Sequence, residues 1–95
     1  METIFERVGA LDVRKAQVMA CVRVPGPGGR EPHVAQFATT VAGLLALRDW
    51  LAAHEVTHVA MEATGAYWQP VWHILEEDFK LTLCNARHVK QVALV

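Results

Sequence analysis

No apolar run in this sequence approaches the roughly 18 residues that a membrane-crossing helix needs. No membrane span or membrane partner is therefore expected. An excess of one charge sign is also missing, since nine basic residues face ten acidic ones for a net charge of −1. That excludes a whole-molecule electrostatic footprint for nucleic acid and leaves a local one open. Cysteine is scarce. Cys21 and Cys84 stand far apart, without metal-site spacing, and read as small apolar interior residues. A reducing, cytoplasmic interior is the expected setting. The opening METIFERVGA is too charged for a secretory signal. Repeats and low-complexity tracts are absent from the sequence.

What the chain does have is apolar residues, 53% of its 95 positions. That length suits one small domain over residues 1–95 and no more. A chain so short buries only a modest share of its surface. Either its core is dense, or apolar surface is left over for a partner.

The periodicity changes along the chain. RVGALDV (7–13) reads as a strand, and AQVMACVRV (16–24) alternates apolar and polar positions as a second strand does. PGPGGREP (25–32) predicts a turn or loop, and HVAQFA (33–38) a short third strand. In TTVAGLLALRDWLAAH (39–54) the apolar residues recur at three- and four-residue steps, so a helix is predicted, capped by Thr39 or Thr40. Glu55 then occupies the place where a glycine would relieve a left-handed backbone. VTHVAM (56–61) predicts a buried strand. YWQPVWHILEEDF (67–79) predicts a helix with Pro70 in its first turn, and KLTLCNA (80–86) a last strand. RHVKQVALV (87–95) has the makings of a further helix. The order β-β-β-α-β-α-β implies an α/β fold, a mixed sheet with helices packed on it. A right-handed crossover brings the fourth strand alongside the first.

That arrangement places two carboxylates together. Asp12 closes the first strand and Glu62 follows the fourth, so both emerge at one sheet edge. Close carboxylates repel each other, and a divalent cation removes the penalty. Mg²⁺ takes such hard oxygen ligands and keeps several waters. Two ions about 3.5–4 Å apart can clamp a phosphodiester, but that chemistry needs three or four carboxylates. The plainer alternative is that Asp12 serves a turn and Glu62 pairs with Arg14, Lys15 or Arg87.

Four ordered blocks carry a resemblance: ALDVRKAQVMACV, FATTVAGLLALRDWL, VTHVAMEATGAYWQPVWHIL and LCNARHVKQV. Together they resemble the N-terminal domain of DEDD-type insertion-sequence transposases, the family numbered one hundred and ten, over about positions 8–92. The resemblance implies a RuvC-like, ribonuclease-H-type fold. It also implies a cation-dependent recombinase, using Mg²⁺ or Mn²⁺, that moves an insertion sequence by cleaving and joining DNA under a structured guide RNA. A bacterial-type, nucleoid-associated protein is the implied setting. By motif, Asp12 in LDVRK resembles the first family acid and Glu62 in MEATG the second. The remaining two acids lie, in the family, beyond the NARHVK block, and this chain ends at Val95 before that segment. It therefore resembles a fragment of the catalytic domain, one expected to be inactive alone. Glu55 departs from the family's usual glycine.

A nucleic-acid-binding rim is expected around the pair. Arg14, Lys15, Arg87, His88 and Lys90 supply charge. Thr64 and Gly65 form a tight turn that lets a phosphate backbone approach, unless Thr64 is simply a helix cap. Tyr67 is the candidate for stacking on bases, whereas Trp68 and Trp72 read as core. His54 and His58 straddle a helix-to-strand break, which argues against zinc. Two other functions compete with the recombinase fragment. One is a non-catalytic remnant that binds nucleic acid or its own copies, and self-association is expected of a sheet left partly bare. The other is an actin-like ATPase half-domain. Arg14 and Lys15 count against it, since they stand where that class needs Gly and Thr or Ser around phosphates.

Overall fold

Alternating apolar residues build the sheet, and two helices seal one of its faces. The computed structural model describes residues 7–26 and 29–84. Its strands are β1 (Val8–Val13), β2 (Gln17–Gly26), β3 (Gly29–Ala38), β4 (His58–Ala63) and β5 (Lys80–Cys84). Helix α1 (Val41–Ala53) joins β3 to β4, and α2 (Trp68–Leu75) joins β4 to β5. The sheet runs β3-β2-β1-β4-β5, antiparallel across β1, β2 and β3 and parallel across β1, β4 and β5. The predicted element order and mixed sheet both hold.

The strands send every second side chain to the helices. Leu11, Val13, Val18, Ala20, Val22, Val59 and Met61 are buried there against Leu44, Leu47 and Leu51 of α1 and Val71 and Leu75 of α2. Each large aliphatic buried in this way stabilises the fold by about 1.5–3 kcal/mol. The opposite face carries Val8, Ala10 and Asp12 of β1 beside Met19 and Cys21 of β2, Val34 of β3, and Ala60 and Glu62 of β4. Among the described residues nothing covers it, and Met19 and Val34 are exposed. Cys21 and Cys84 are both half-buried, which corrects the expectation of interior thiols.

Helix α1 starts where expected. The Thr40 hydroxyl accepts the Gly43 N–H at 3.0 Å, a side-chain N-cap. Gly43 itself is needed because a Cβ there would run into the Ala38 backbone, lying 2.9 Å from its carbonyl carbon. The helix ends in a Schellman motif: Val56 N–H donates to Leu51 O at 3.1 Å and Glu55 N–H to Ala52 O at 2.9 Å. Glu55 takes the left-handed position, with φ of 59°. Arg7 Nε donates to the His54 carbonyl at 2.8 Å, placing a cation at the negative end of the helix.

Several boundaries move. The segment 25–32 is mostly strand rather than loop, because β2 and β3 run on to Gly26 and from Gly29. The ladder to β1 begins at the Val8–Arg23 pair, so beyond Arg23 the hairpin is a two-stranded ribbon. Pro25 lies in that ribbon and Pro32 on the edge strand, where a missing N–H is tolerated. β4 extends to Ala63, so Glu62 lies within the strand rather than after it. α2 stops at Leu75, and Phe79 reaches the core from the following turn, only 8% exposed. Position 85 onwards, including the predicted last helix, lies outside the described residues.

Candidate active site

Parallel pairing of β1 with β4 sets Asp12 opposite Glu62, the penultimate residues of their strands. Neighbouring strands lie roughly 4.8 Å apart, and in-register side chains leave on the same face. Leu11 and Met61, one step earlier on each strand, are buried under the helices, so both carboxylates project to the open side. They line one hollow of about 300 Å³ together with Arg14, Ala63 and Thr64.

The turn after β1 holds the basic residues. Arg14 N–H donates to Gln17 O at 2.8 Å and closes that turn. Thr39 ties it to the start of α1, with its hydroxyl donating to Lys15 O at 2.8 Å and its N–H to Ala16 O at 3.2 Å. From this anchored backbone the Arg14 guanidinium forks onto Asp12. Its Nε donates to Oδ1 at 3.1 Å and its Nη2 to Oδ2 at 3.0 Å. The hydrogen bond to Asp12 raises the Arg14 pKa above its ordinary value, with the Asp12 charge and, more weakly, Glu62 acting in the same direction. Of the alternatives open from sequence, Arg14 thus takes the first carboxylate rather than the second. Lys15 is exposed in the same turn and does not line the hollow.

The turn after β4 follows from one glycine. Gly65 has φ of 61°, and a Cβ there would meet nothing within 4 Å, so the demand is on backbone conformation alone. Thr64 does not cap α2, whose N-cap position is Tyr67 with no side-chain cap bond. Tyr67 is 44% exposed, as a contact residue requires. Trp68 and Trp72 meet edge to face at 5.7 Å and are only partly buried against the core. They line a second, apolar hollow of about 490 Å³ with Leu83, so the expected core packing holds for one side of each ring and leaves the other open. Its signal was the pair of large aromatics on so short a helix. Arg87, His88 and Lys90 lie outside the described residues. His54 packs against the tilted ring of His33 at 4.7 Å and meets Trp50 edge to face at 4.8 Å.

Two oxygen-bearing acids, open to water in a hollow of this size, suit one hard cation that keeps much of its hydration. Among the described residues no cluster of three or more potential metal ligands occurs, so a two-ion clamp is not assembled from them.

The sheet order, helix placement and strand-end acids define a RuvC-like fold of the ribonuclease-H type. Solved structures share it. RuvC from T. thermophilus in complex with a Holliday junction substrate superposes with a TM-score of 0.65 at 13% identity, over 92% of this chain and 69% of that one. Fowlpox virus resolvase, solved with Holliday junction DNA, gives 0.59 at 10% identity, over 93% and 70%. An exopolyphosphatase from Cytophaga hutchinsonii gives 0.57 at 13% identity over 86% of this chain, which spans only 35% of that enzyme. At such identities these likenesses establish the fold alone. No curated protein matches the chain in sequence. The family model for IS110-type DEDD transposases, described as "Transposase", matches residues 9–94. The chain belongs to that family of DNA-recombining enzymes.

Proposed function

We propose that Asp12 and Glu62 jointly hold a divalent cation, Mg²⁺ or Mn²⁺, and form half of the acidic set with which the whole transposase cleaves and joins DNA. The observation that carries this reading is the in-register placement of the two acids on adjacent parallel strands, facing away from the helices. Held by Asp12 and Glu62, such a cation would supply Lewis-acid polarisation of a phosphoryl group and a more acidic bound water. The chain's own residues orient that chemistry. Asp12 and Glu62 fix the ion from rigid strands, and the Gly65 turn leaves room for a phosphate backbone beside Thr64. Arg14 and Lys15 offer charge to phosphates from the anchored turn, and Tyr67 a ring to an unstacked base. Arg87, His88 and Lys90 extend this rim, and a guide RNA directs the target in the complete enzyme.

The chain alone does not cut DNA in this reading, because two carboxylates cannot clamp two ions. The test is Mn²⁺ titration of the purified chain beside Asp12→Asn and Glu62→Gln, all checked for folding by circular dichroism. Binding in the millimolar range or tighter, lost in both variants, is the expected result. An unresponsive wild-type chain would remove the metal assignment. Metal-dependent cleavage by the chain, abolished by Glu62→Ala, would overturn the half-set argument.

The bare sheet face favours a second role, self-association, since Met19 on β2 and Val34 on the edge strand β3 are exposed on it. An ATPase half-domain is disfavoured, because the turn after β1 is filled by Arg14 and Lys15 and closed by its own hydrogen bond.

A further inference from the structure

We propose that Arg14 is a built-in placeholder for the cation: its guanidinium engages both oxygens of Asp12 and competes with a divalent ion for them. This rests on the metal reading of Asp12 and Glu62. Three observations support it. Both Asp12 oxygens are engaged, at 3.1 and 3.0 Å, so the Arg14 fork commits one lone pair of each and sets a positive charge against the carboxylate that an ion would use. Arg14 also lines the same hollow as Glu62, so its fixed positive charge offsets both neighbouring acids. Finally, the side chain is free to depart, being 65% exposed with Asp12 as its side-chain partner, while the turn holds its backbone.

The consequence is an exchange. In the metal-free state Arg14 relieves the mutual repulsion of two carboxylates on adjacent strands. A divalent ion with twice the charge takes its place, and the released guanidinium swings to the rim. There it can pair with a phosphate of the nucleic acid, for which its planar fork is suited. Arg14 therefore competes with the metal for Asp12 and becomes available to substrate only after the metal arrives.

Calorimetric Mn²⁺ titration of the full 95-residue chain tests this. Arg14→Ala is expected to bind Mn²⁺ about three- to fivefold more tightly than wild type, the range set by an exposed ion pair. Arg14→Lys should fall between them, because an ammonium keeps the charge but not the fork. Asp12→Asn in the Arg14→Ala background should abolish the gain. If Arg14→Ala binds no tighter while Asp12→Asn still abolishes binding, the placeholder is refuted and the metal site stands. If Asp12→Asn and Glu62→Gln leave Mn²⁺ binding unchanged with or without Arg14, the metal site and the placeholder fall together.

Discussion

Replacing Glu55 by glycine should stabilise this protein, although it deletes a side chain and an ion pair. Glu55 holds the left-handed position of the Schellman motif that ends α1, with φ of 59°. An L-residue there crowds its Cβ against the following carbonyl and costs about 1–2 kcal/mol. Glycine removes that crowding but loses roughly 0.5–1 kcal/mol through its freer unfolded chain. The ion pair to Arg7 is 4.0 Å long, with the Glu55 side chain 78% exposed, so its loss is worth at most a few tenths of a kcal/mol. The balance is a gain between about zero and 1.3 kcal/mol, centred near 0.5, or roughly 3 °C in Tm for a domain of this size. Thermal and urea unfolding followed by circular dichroism read it directly. Glu55→Ala is the control, since it removes the ion pair and keeps the Cβ, and it should change stability by less than about 0.5 kcal/mol. If Glu55→Gly is destabilising, or if alanine stabilises equally, the backbone argument fails.

Gly43→Ala should cost about 1–3 kcal/mol despite alanine's better helix propensity, because its Cβ meets the Ala38 backbone; a raised urea midpoint would contradict this. Leu47→Ala should cost about 2–5 kcal/mol, since Leu47 is fully buried on the sheet-facing side of α1, and a smaller loss would mean the core closes over the gap. Light scattering at high concentration should show association of the wild-type chain that Val34→Lys reduces, Val34 being 63% exposed on the bare face. A monodisperse monomer would count against that surface as an interface.

The parts of the fold legible in the sequence were those with a clean period. Leu44, Leu47 and Leu51 announce a helix, and Val18, Ala20 and Val22 a half-buried strand. Glu55 betrayed its strained backbone by standing where glycine belongs. The hairpin around Pro25 and Pro32 was illegible because prolines and glycines suggest a loop wherever the ladder is assumed two-sided. Here β2 outruns β1, and a two-stranded ribbon tolerates them. At the site, Asp12 and Glu62 could be brought together by topology alone, since a parallel crossover aligns strand ends. The partner of Arg14 could not, because three basic residues were in reach and only the closed turn at Gln17 aims the guanidinium at Asp12. Trp68 and Trp72 pack against the core as their spacing implies, but helix periodicity reports a face and not how much of it a neighbour covers, so their partial exposure was not legible.

Pairing of β1 with β4 has a hereditary corollary. Because side chains alternate along a strand, a one-residue slip of β4 would turn Glu62 inward and Met61 outward together. Selection on Met61 and Val59 for packing therefore guards the aim of Glu62, even in a lineage that no longer needs the acid. A single codon change can erase the carboxylate, but no gradual drift can misdirect it without first breaking the protein's interior.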